Sequence, residues 1–261
     1  VLSGHAGEGV LNRLAHEAGG FNHNHQSYRV VTQLERRYPG WAGLNLSFET
    51  LEGIAKHETE YDLSNVAGYD KERQGSLEAQ IANVSDELAY NAHDLDDGLQ
   101  AGLINISDLE SLELWRRVCE QAGWKGRALD EISRHQLIRE LIGLQVDDVL
   151  QTTTQRLNAL QPQSTDDIQR HNQQVVSHSE EMKVLNRALK DFLYQNMYFQ
   201  FRVMRMATRA KRFIEQIFES YVSEPRQLPD EYQTQINNKP LERVIADYIA
   251  SMTDRGALLE Y

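Results

Sequence analysis

The chain has 261 residues, enough to bury a sizeable core as one large domain or two small ones. A net charge of −12 excludes broad, charge-driven binding of duplex DNA, and a single cysteine, Cys119, excludes an internal disulfide framework. No apolar run approaches the roughly 18 residues that cross a bilayer and no signal-peptide pattern opens the sequence, so the expectation is a cytoplasmic protein without membrane contact.

Apolar residues recur at three- and four-residue spacing almost throughout, and strand-like alternation is rare, which predicts an all-α fold. A first helix is predicted from about Glu8 to Glu17, stopped by Gly19-Gly20, and a second from Asn24 to Arg37, ending before Pro39. Ser47 is the expected N-cap of the next, with Glu49 in its first turn. An acidic helix follows from Ser76 to Gly98 or Gly102, then a shorter one from Ser107 to Gln121. A long amphipathic helix runs from Ser133 to Leu157 and ends by Pro162. Gln161 to Gln174 reads as a polar loop and is the best candidate for a boundary. It either divides a domain over 1–160 from a helical region over 161–261 packed on it, or is a surface loop within one continuous domain. Val184 to Tyr221 is expected as one long helix and Lys239 to Asp254 as the last.

The acidic helix raises the sharpest question. "SLEAQIANVSDELAYNAHDLDDGL" holds six carboxylates and neither Lys nor Arg. Leu77, Ile81, Val84, Leu88, Ala92, Leu95 and Leu99 form one predicted core stripe. Asp86, Tyr90 and Asp94 lie on the other side at i, i+4 and i+8, flanked by Asn83 and Asp97. Three aspartates crowd the helix C-terminus, where the macrodipole disfavours anions. Two readings stand: a solvated face, or a site whose cation or ligand offsets the charge.

Other patterns carry less by themselves. His5 and Glu8, at i and i+3, let a carboxylate hold an imidazole, although an isolated H-x-x-E also arises by chance. His23 and His25 beside Asn24 read either as surface loop histidines or as contributors to the same site as Asn24, and Lys56 by itself as a solvated lysine. Arg127, Arg134 and Arg139 are weaker candidates for phosphate. Arg202, Arg205, Arg209 and Arg212 form one stripe, with no acid between Asp191 and Glu215. That stripe fits a phosphate, a nucleotide effector, the acidic surface of another subunit, or a basic flank paired with surface carboxylates.

"SDELAYNAHDLDDGLQAGLI" resembles the signature helix of bacterial deoxynucleoside triphosphate triphosphohydrolases of the HD superfamily, the dGTPase-like proteins. "SGHAGEGVLN" is similar to that family's G-H-x-G-E segment, "GGFNHNHQSYRVVTQLERRYPGWAGLNLSFETLEGIAKH" to its next block, and "RVIADYIASMTDRGAL" to its closing helix. Several long blocks in order cover most of the chain.

The resemblance implies an all-α, HD-domain helical fold with additional C-terminal helices. It also implies hydrolysis of a deoxynucleoside triphosphate (dGTP or other dNTPs) to the deoxynucleoside and tripolyphosphate. Other HD phosphohydrolases, acting on nucleotide monophosphates or cyclic nucleotides, are the nearest alternative; a non-catalytic nucleotide-binding relative is the next. The cofactor implied is a divalent ion (Mg²⁺, Mn²⁺ or another transition metal) held by a His, an adjacent His-Asp pair and a later Asp. Asp86 matches the last of these. The other three precede G-H-x-G-E in the family and do not occur in this sequence, so the N-terminal part of the HD-type catalytic domain is expected to be missing from it.

By the same resemblance His5 is the general acid toward the departing 5′ oxygen, with Glu8 orienting it, or the pair guides the attacking water. Tyr90 and Asp94 match residues that contact the sugar, Asn24 a polar position near the phosphates, and Lys56 a lysine on the phosphate tail. The implied partners are the dNTP substrate, a dNTP or single-stranded DNA effector, and further copies of the chain in a homo-oligomer.

Overall fold

A computed structural model describes residues 4–57, 68–70, 72–126 and 129–261, with the side chain of His5 left out. Its helices are α1 (Gly4–Leu14), α2 (His23–Arg29), α3 (Phe48–Ala55), α4 (Leu77–Gln100), α5 (Glu113–Gln121) and α6 (Glu131–Leu160). They are followed by α7 (Thr165–Gln169), α8 (Glu180–Leu193), α9 (Phe201–Ser223), α10 (Asp230–Gln233), α11 (Leu241–Ser251) and α12 (Asp254–Glu260). Among the described residues no strand forms, and the fold is all-α as expected. None of the described helices is long and apolar enough to cross a membrane.

The chain folds as two compact units, one over 1–46 and 201–261, the other over 47–200. The segment Gln161 to Gln174 therefore lies inside the second unit. It is not simply a loop either, because Ser164 and Asp167 form a reciprocal capping box that starts α7.

In the first unit α1 packs on α9, and α9 on α11 and α12. Leu11, Ile214, Ile217, Val244, Ile245 and Ile249 are buried at their centre. One polar lock crosses this core. Arg29 Nη1 and Nη2 donate to the two carboxylate oxygens of buried Asp247 at 2.5 and 2.6 Å, and Gln26 Nε2 adds a third bond at 3.0 Å. A buried carboxylate is tolerable only with such full pairing.

In the second unit α4 and α5 pack on α6 and α8 around Leu95, Leu109, Leu114, Val118, Leu137, Leu141 and Leu189. The helix starts are capped by short polar side chains, and Ser47 is the N-cap expected from the sequence. Ser47 Oγ accepts from Thr50 N–H, Ser76 Oγ from Ala79 N–H and Asp130 from Ser133 N–H. At the end of α6 Gln161 takes a left-handed φ of 48° before Pro162.

Two expectations are corrected. The buried face of α4 is Gln80, Leu88, Asn91, Ala92, Leu95 and Gly98, while Ile81 is exposed. Gln80 displaces an apolar residue because its Oε1 accepts the backbone N–H groups of Val175 and Val176 at 2.7 and 3.0 Å, which no hydrocarbon could satisfy. The helix expected over 184–221 is broken after Leu193 by a π turn, Tyr194–Tyr198. Gln200 Nε2 beyond it bonds Leu103 O at 3.3 Å, a contact that a continuous α-helical periodicity cannot foresee.

Candidate functional site

The first unit holds a carboxylate–imidazole pair. Asn22 caps α2, its Oδ1 accepting from the N–H of Asn24 and His25 at 3.0 and 3.1 Å. That cap fixes the first turn so that His23 faces α1. Glu8 Oε1 accepts the His23 backbone N–H at 2.8 Å, and the two carboxylate oxygens lie 3.1 and 3.0 Å from His23 Nδ1. An ionised carboxylate only accepts, so Nδ1 is the ring nitrogen that carries the proton in this contact. The preceding turn is tight. A Cβ on Gly20 (φ +69°) would overlap the Asn12 carboxamide oxygen, which accepts from Phe21 N–H.

Glu8 thus holds His23. His23 reads from the sequence either as a loop histidine or as a contributor to the site, and only the capping pattern "FNHNH" signals that it opens a helix. His5 lies in α1, three residues before Glu8, and its side chain is outside the described residues. Asn24 is buried, and its Nδ2 has no hydrogen-bond partner among the described groups.

The second unit, taken by itself, holds the acidic helix. Tyr90 and Asp94 lie one turn apart on α4, and both meet Tyr198 from the π turn. The Tyr198 hydroxyl donates to Asp94 Oδ2 and shares a hydrogen bond with the Tyr90 hydroxyl. Burial pushes the Asp94 carboxyl above the usual carboxylate range, against the opposing effect of the Tyr198 bond. Burial likewise pushes the Tyr90 and Tyr198 phenols up. The π turn has a function here: the extra residue rotates Tyr198 onto α4. Tyr198 was missed because the segment read as uninterrupted helix.

Asp86, two turns before Asp94, is exposed, and His57 Nε2 lies 3.7 Å from its Oδ2. Asn83 Oδ1 is 2.6 Å from His57 Nδ1 and orients that ring. These two residues do not amount to a coordination set: among the described residues no group of three or more His, Cys, Asp or Glu could hold a metal ion. The divalent ion implied by the resemblance does not fit the residues described here by themselves.

Lys56 ends α3 as a committed cation. Its Nζ is 2.8 Å from Glu52 Oε1 and donates to Arg73 O at 3.0 Å. Arg134, weighed for phosphate, is buried and paired with Asp96 at 3.1 Å, and Arg127 lies outside the described residues. The carboxylates of α4 are accordingly less bare than the sequence suggested: Asp96 has Arg134, Glu87 has Lys190 at 3.8 Å, Asp94 has Tyr198 and Asp86 has His57.

Among the described residues the fold is helical without strands, with a carboxylate-held histidine in one unit and a tyrosine–carboxylate row on a long acidic helix in the other. Residues 176–261 match the model of the phosphohydrolase-associated domain. The chain is 48% identical, over 99% of its length and 68% of the relative's, to a deoxyguanosinetriphosphate triphosphohydrolase-like protein of Geobacter sulfurreducens. Proteins of the same description from Ralstonia pickettii and Leptospira interrogans are 43% and 39% identical, over 99% and 97% of the chain and 68% of each relative. The chain belongs to the deoxyguanosinetriphosphate triphosphohydrolase-like family of HD-type phosphohydrolases.

Proposed function

We propose that this phosphohydrolase takes a deoxynucleoside triphosphate, dGTP or another dNTP, and releases the deoxynucleoside and tripolyphosphate. The observation that carries the reading is the row Tyr90–Tyr198–Asp94 on the acidic helix. A deoxyribose needs an acceptor for its 3′ hydroxyl, and Asp94 is a carboxylate with that capacity. Selection against ribose needs a surface that leaves no room for a 2′ hydroxyl, and a tyrosine ring fixed by its own hydroxyl is such a surface. The two phenols hold the carboxylate in one rotamer before any ligand arrives, so little ordering remains to be done on binding.

Hydrolysis forms a bond from water oxygen to the α-phosphorus and breaks the bond to the 5′ oxygen, which must take up a proton as it leaves. A histidine whose Nδ1 is tied to Glu8 presents Nε2 either to accept the proton from water or, once protonated, to give it to the leaving oxygen. His5, one turn before Glu8, belongs to the same reading. A divalent ion, Mg²⁺ or Mn²⁺, with Asp86 as one ligand belongs to it as an expectation of the family.

Phosphorus NMR of products from each of the four dNTPs, with Mn²⁺ or Mg²⁺ supplied to the full-length protein, tests the proposal. Tripolyphosphate without monophosphate or orthophosphate is the expected result. Monophosphate or orthophosphate would instead mark an HD phosphohydrolase acting on other nucleotides. His23→Ala is expected to lower turnover by about 10²- to 10⁴-fold, the usual contribution of a positioned acid or base. An unchanged rate in that variant removes His23 from the chemistry.

A further inference from the structure

Two charged residues of α11 hold the segment that carries His23. Arg243 and Asp247 stand four residues apart in "RVIAD", so they share one face of the helix. From that face Arg243 Nη2 donates to Ala18 O at 2.8 Å and also to Gly20 O, in the turn before His23. Asp247 accepts from Gln26 Nε2 and from both terminal nitrogens of Arg29, which follow His23 in α2. Arg29 Nη1 also donates to Gln26 Oε1 at 2.7 Å and closes the ring of bonds. The chain from Ala18 to Arg29 is therefore pinned at both ends, and His23 lies between the pins.

The turn under Arg243 leaves little slack. Gly19 and Gly20 take φ of +91° and +69°, and a Cβ on Gly19 would stand 3.5 Å from Arg243 Nη2. Burial, and after it the charge of Arg29, press the Arg243 guanidinium below its ordinary value, with Asp247 opposing them. Packing alone does not require these charges. Val244, Ile245, Ala246 and Ile249 already bury the apolar side of α11. A buried ion pair is a poor source of net stability compared with hydrocarbon of similar size, whereas its directional bonds are satisfied in few arrangements.

We infer that Arg243 and Asp247 are positioning residues for His23: they set α2 and the turn before it so that the imidazole meets Glu8. The inference rests on the proposed role of His23 as an acid or base and goes beyond it. Helix α11 lies in the region that matches the phosphohydrolase-associated domain, residues 176–261, so that region is part of the scaffold of the site and not a module beside it. The effect is geometric. Three contacts of His23 with Glu8 form together, the backbone N–H to Oε1 at 2.8 Å and Nδ1 against the two carboxylate oxygens at 3.1 and 3.0 Å. They sit at the first residue of α2, so a small rotation of an intact α2 breaks them. A displacement of about 1 Å at a reacting group can cost about 10²-fold in rate.

Hydrogen–deuterium exchange, together with steady-state kinetics on dGTP and Mn²⁺, tests this on the full-length protein. Arg243→Met removes the donor to Ala18 and Gly20, and Asp247→Asn removes the charge that Arg29 grips. Each is expected to speed amide exchange over Phe21 to His25 by about tenfold or more, with exchange in α9 unchanged. Each is expected to lower kcat by about 10- to 100-fold at nearly constant KM, because His23 acts on the chemical step and not on binding. Arg243→Lys keeps one cation near the two carbonyls and is expected to recover part of both effects; it replaces Arg243→Met if that variant fails to fold. Exchange raised evenly over α1, α2, α9 and α11 with an unchanged kcat would mark a purely structural role and overturn the inference. So would unchanged exchange over Phe21 to His25 in the folded variants, or local loosening without a fall in kcat. If the wild type turns over no dNTP, the proposed function fails separately, and the exchange over Phe21 to His25 still decides whether α11 holds His23.

Discussion

Two helices of this protein each carry charge of nearly one sign, and the fold treats them in opposite ways. On α4 the carboxylates meet partners from elsewhere in the same unit: Arg134 of α6, Lys190 of α8, Tyr198 of the π turn and His57 after α3. On the first turns of α9 the cations meet no carboxylate among the described residues. A run of like charge is thus no site in itself. What separates a structural run from an unsatisfied one is whether neighbouring helices return the opposite charge, and that depends on tertiary pairing. The excess of carboxylates on α4 therefore does not by itself call for a metal ion.

The contrast is sharpest where an α4 pair is buried. Arg134→Met leaves Asp96 with its guanidinium partner gone and the Asp96 carbonyl without its donor, in surroundings that solvate neither well. Breaking such a pair from one side is expected to cost about 3 kcal/mol, measured by urea unfolding. A loss below about 0.5 kcal/mol would show that water reaches the pair and that α4 is no better compensated than α9.

A smaller effect separates ligand binding from stability within α4. Asp94→Asn keeps an acceptor for the Tyr198 hydroxyl and removes a charge that burial disfavours. The sign follows from the raised carboxyl. Its folded value lies above the unfolded one, so the contribution is favourable at low pH and is lost as pH rises through the folded value. At neutral pH the substitution should leave stability unchanged or slightly higher. Under the proposed function it should lower kcat/KM by about 10- to 100-fold, the value of a hydrogen bond to a charged acceptor. A stability loss with full activity would mean that Asp94 is structural.

The phenols give a gentler, pH-dependent version of the same comparison. Tyr90 and Tyr198 are both pushed above the usual value of 10.0 by burial. Between that value and the folded one the native protein binds more protons than the unfolded chain, so stability is complete below about pH 10 and falls above it. Tyr198→Phe is expected to flatten that alkaline fall by about 1 kcal/mol at pH 11 relative to pH 9. Tyr221, raised similarly by burial and its bond to Glu260, keeps a residual slope in the variant.

Much of this architecture was legible in the residues. The Ser47 cap, the start of α4 after Ser76 and the approximate extent of α6 follow from local chemistry, which a short window contains. What could not be read were the long-range pairings: Gln80 with Val175, Arg134 with Asp96, Glu8 with His23 and Tyr198 with α4. Each joins residues whose nearness is decided by packing, and each alters a local inference. Gln80 moved the buried face of α4, and Tyr198 required a break in what periodicity made one helix.

The smallest expected effect is the one on which the comparison turns. Arg205→Ala with Arg209→Ala deletes two exposed cations that have no carboxylate partner among the described residues, so at high dilution it should change stability by no more than about 0.5 kcal/mol. A loss at high dilution as large as that of Arg134→Met would mean that the stripe is paired inside its own chain, and the distinction between the two helices would disappear.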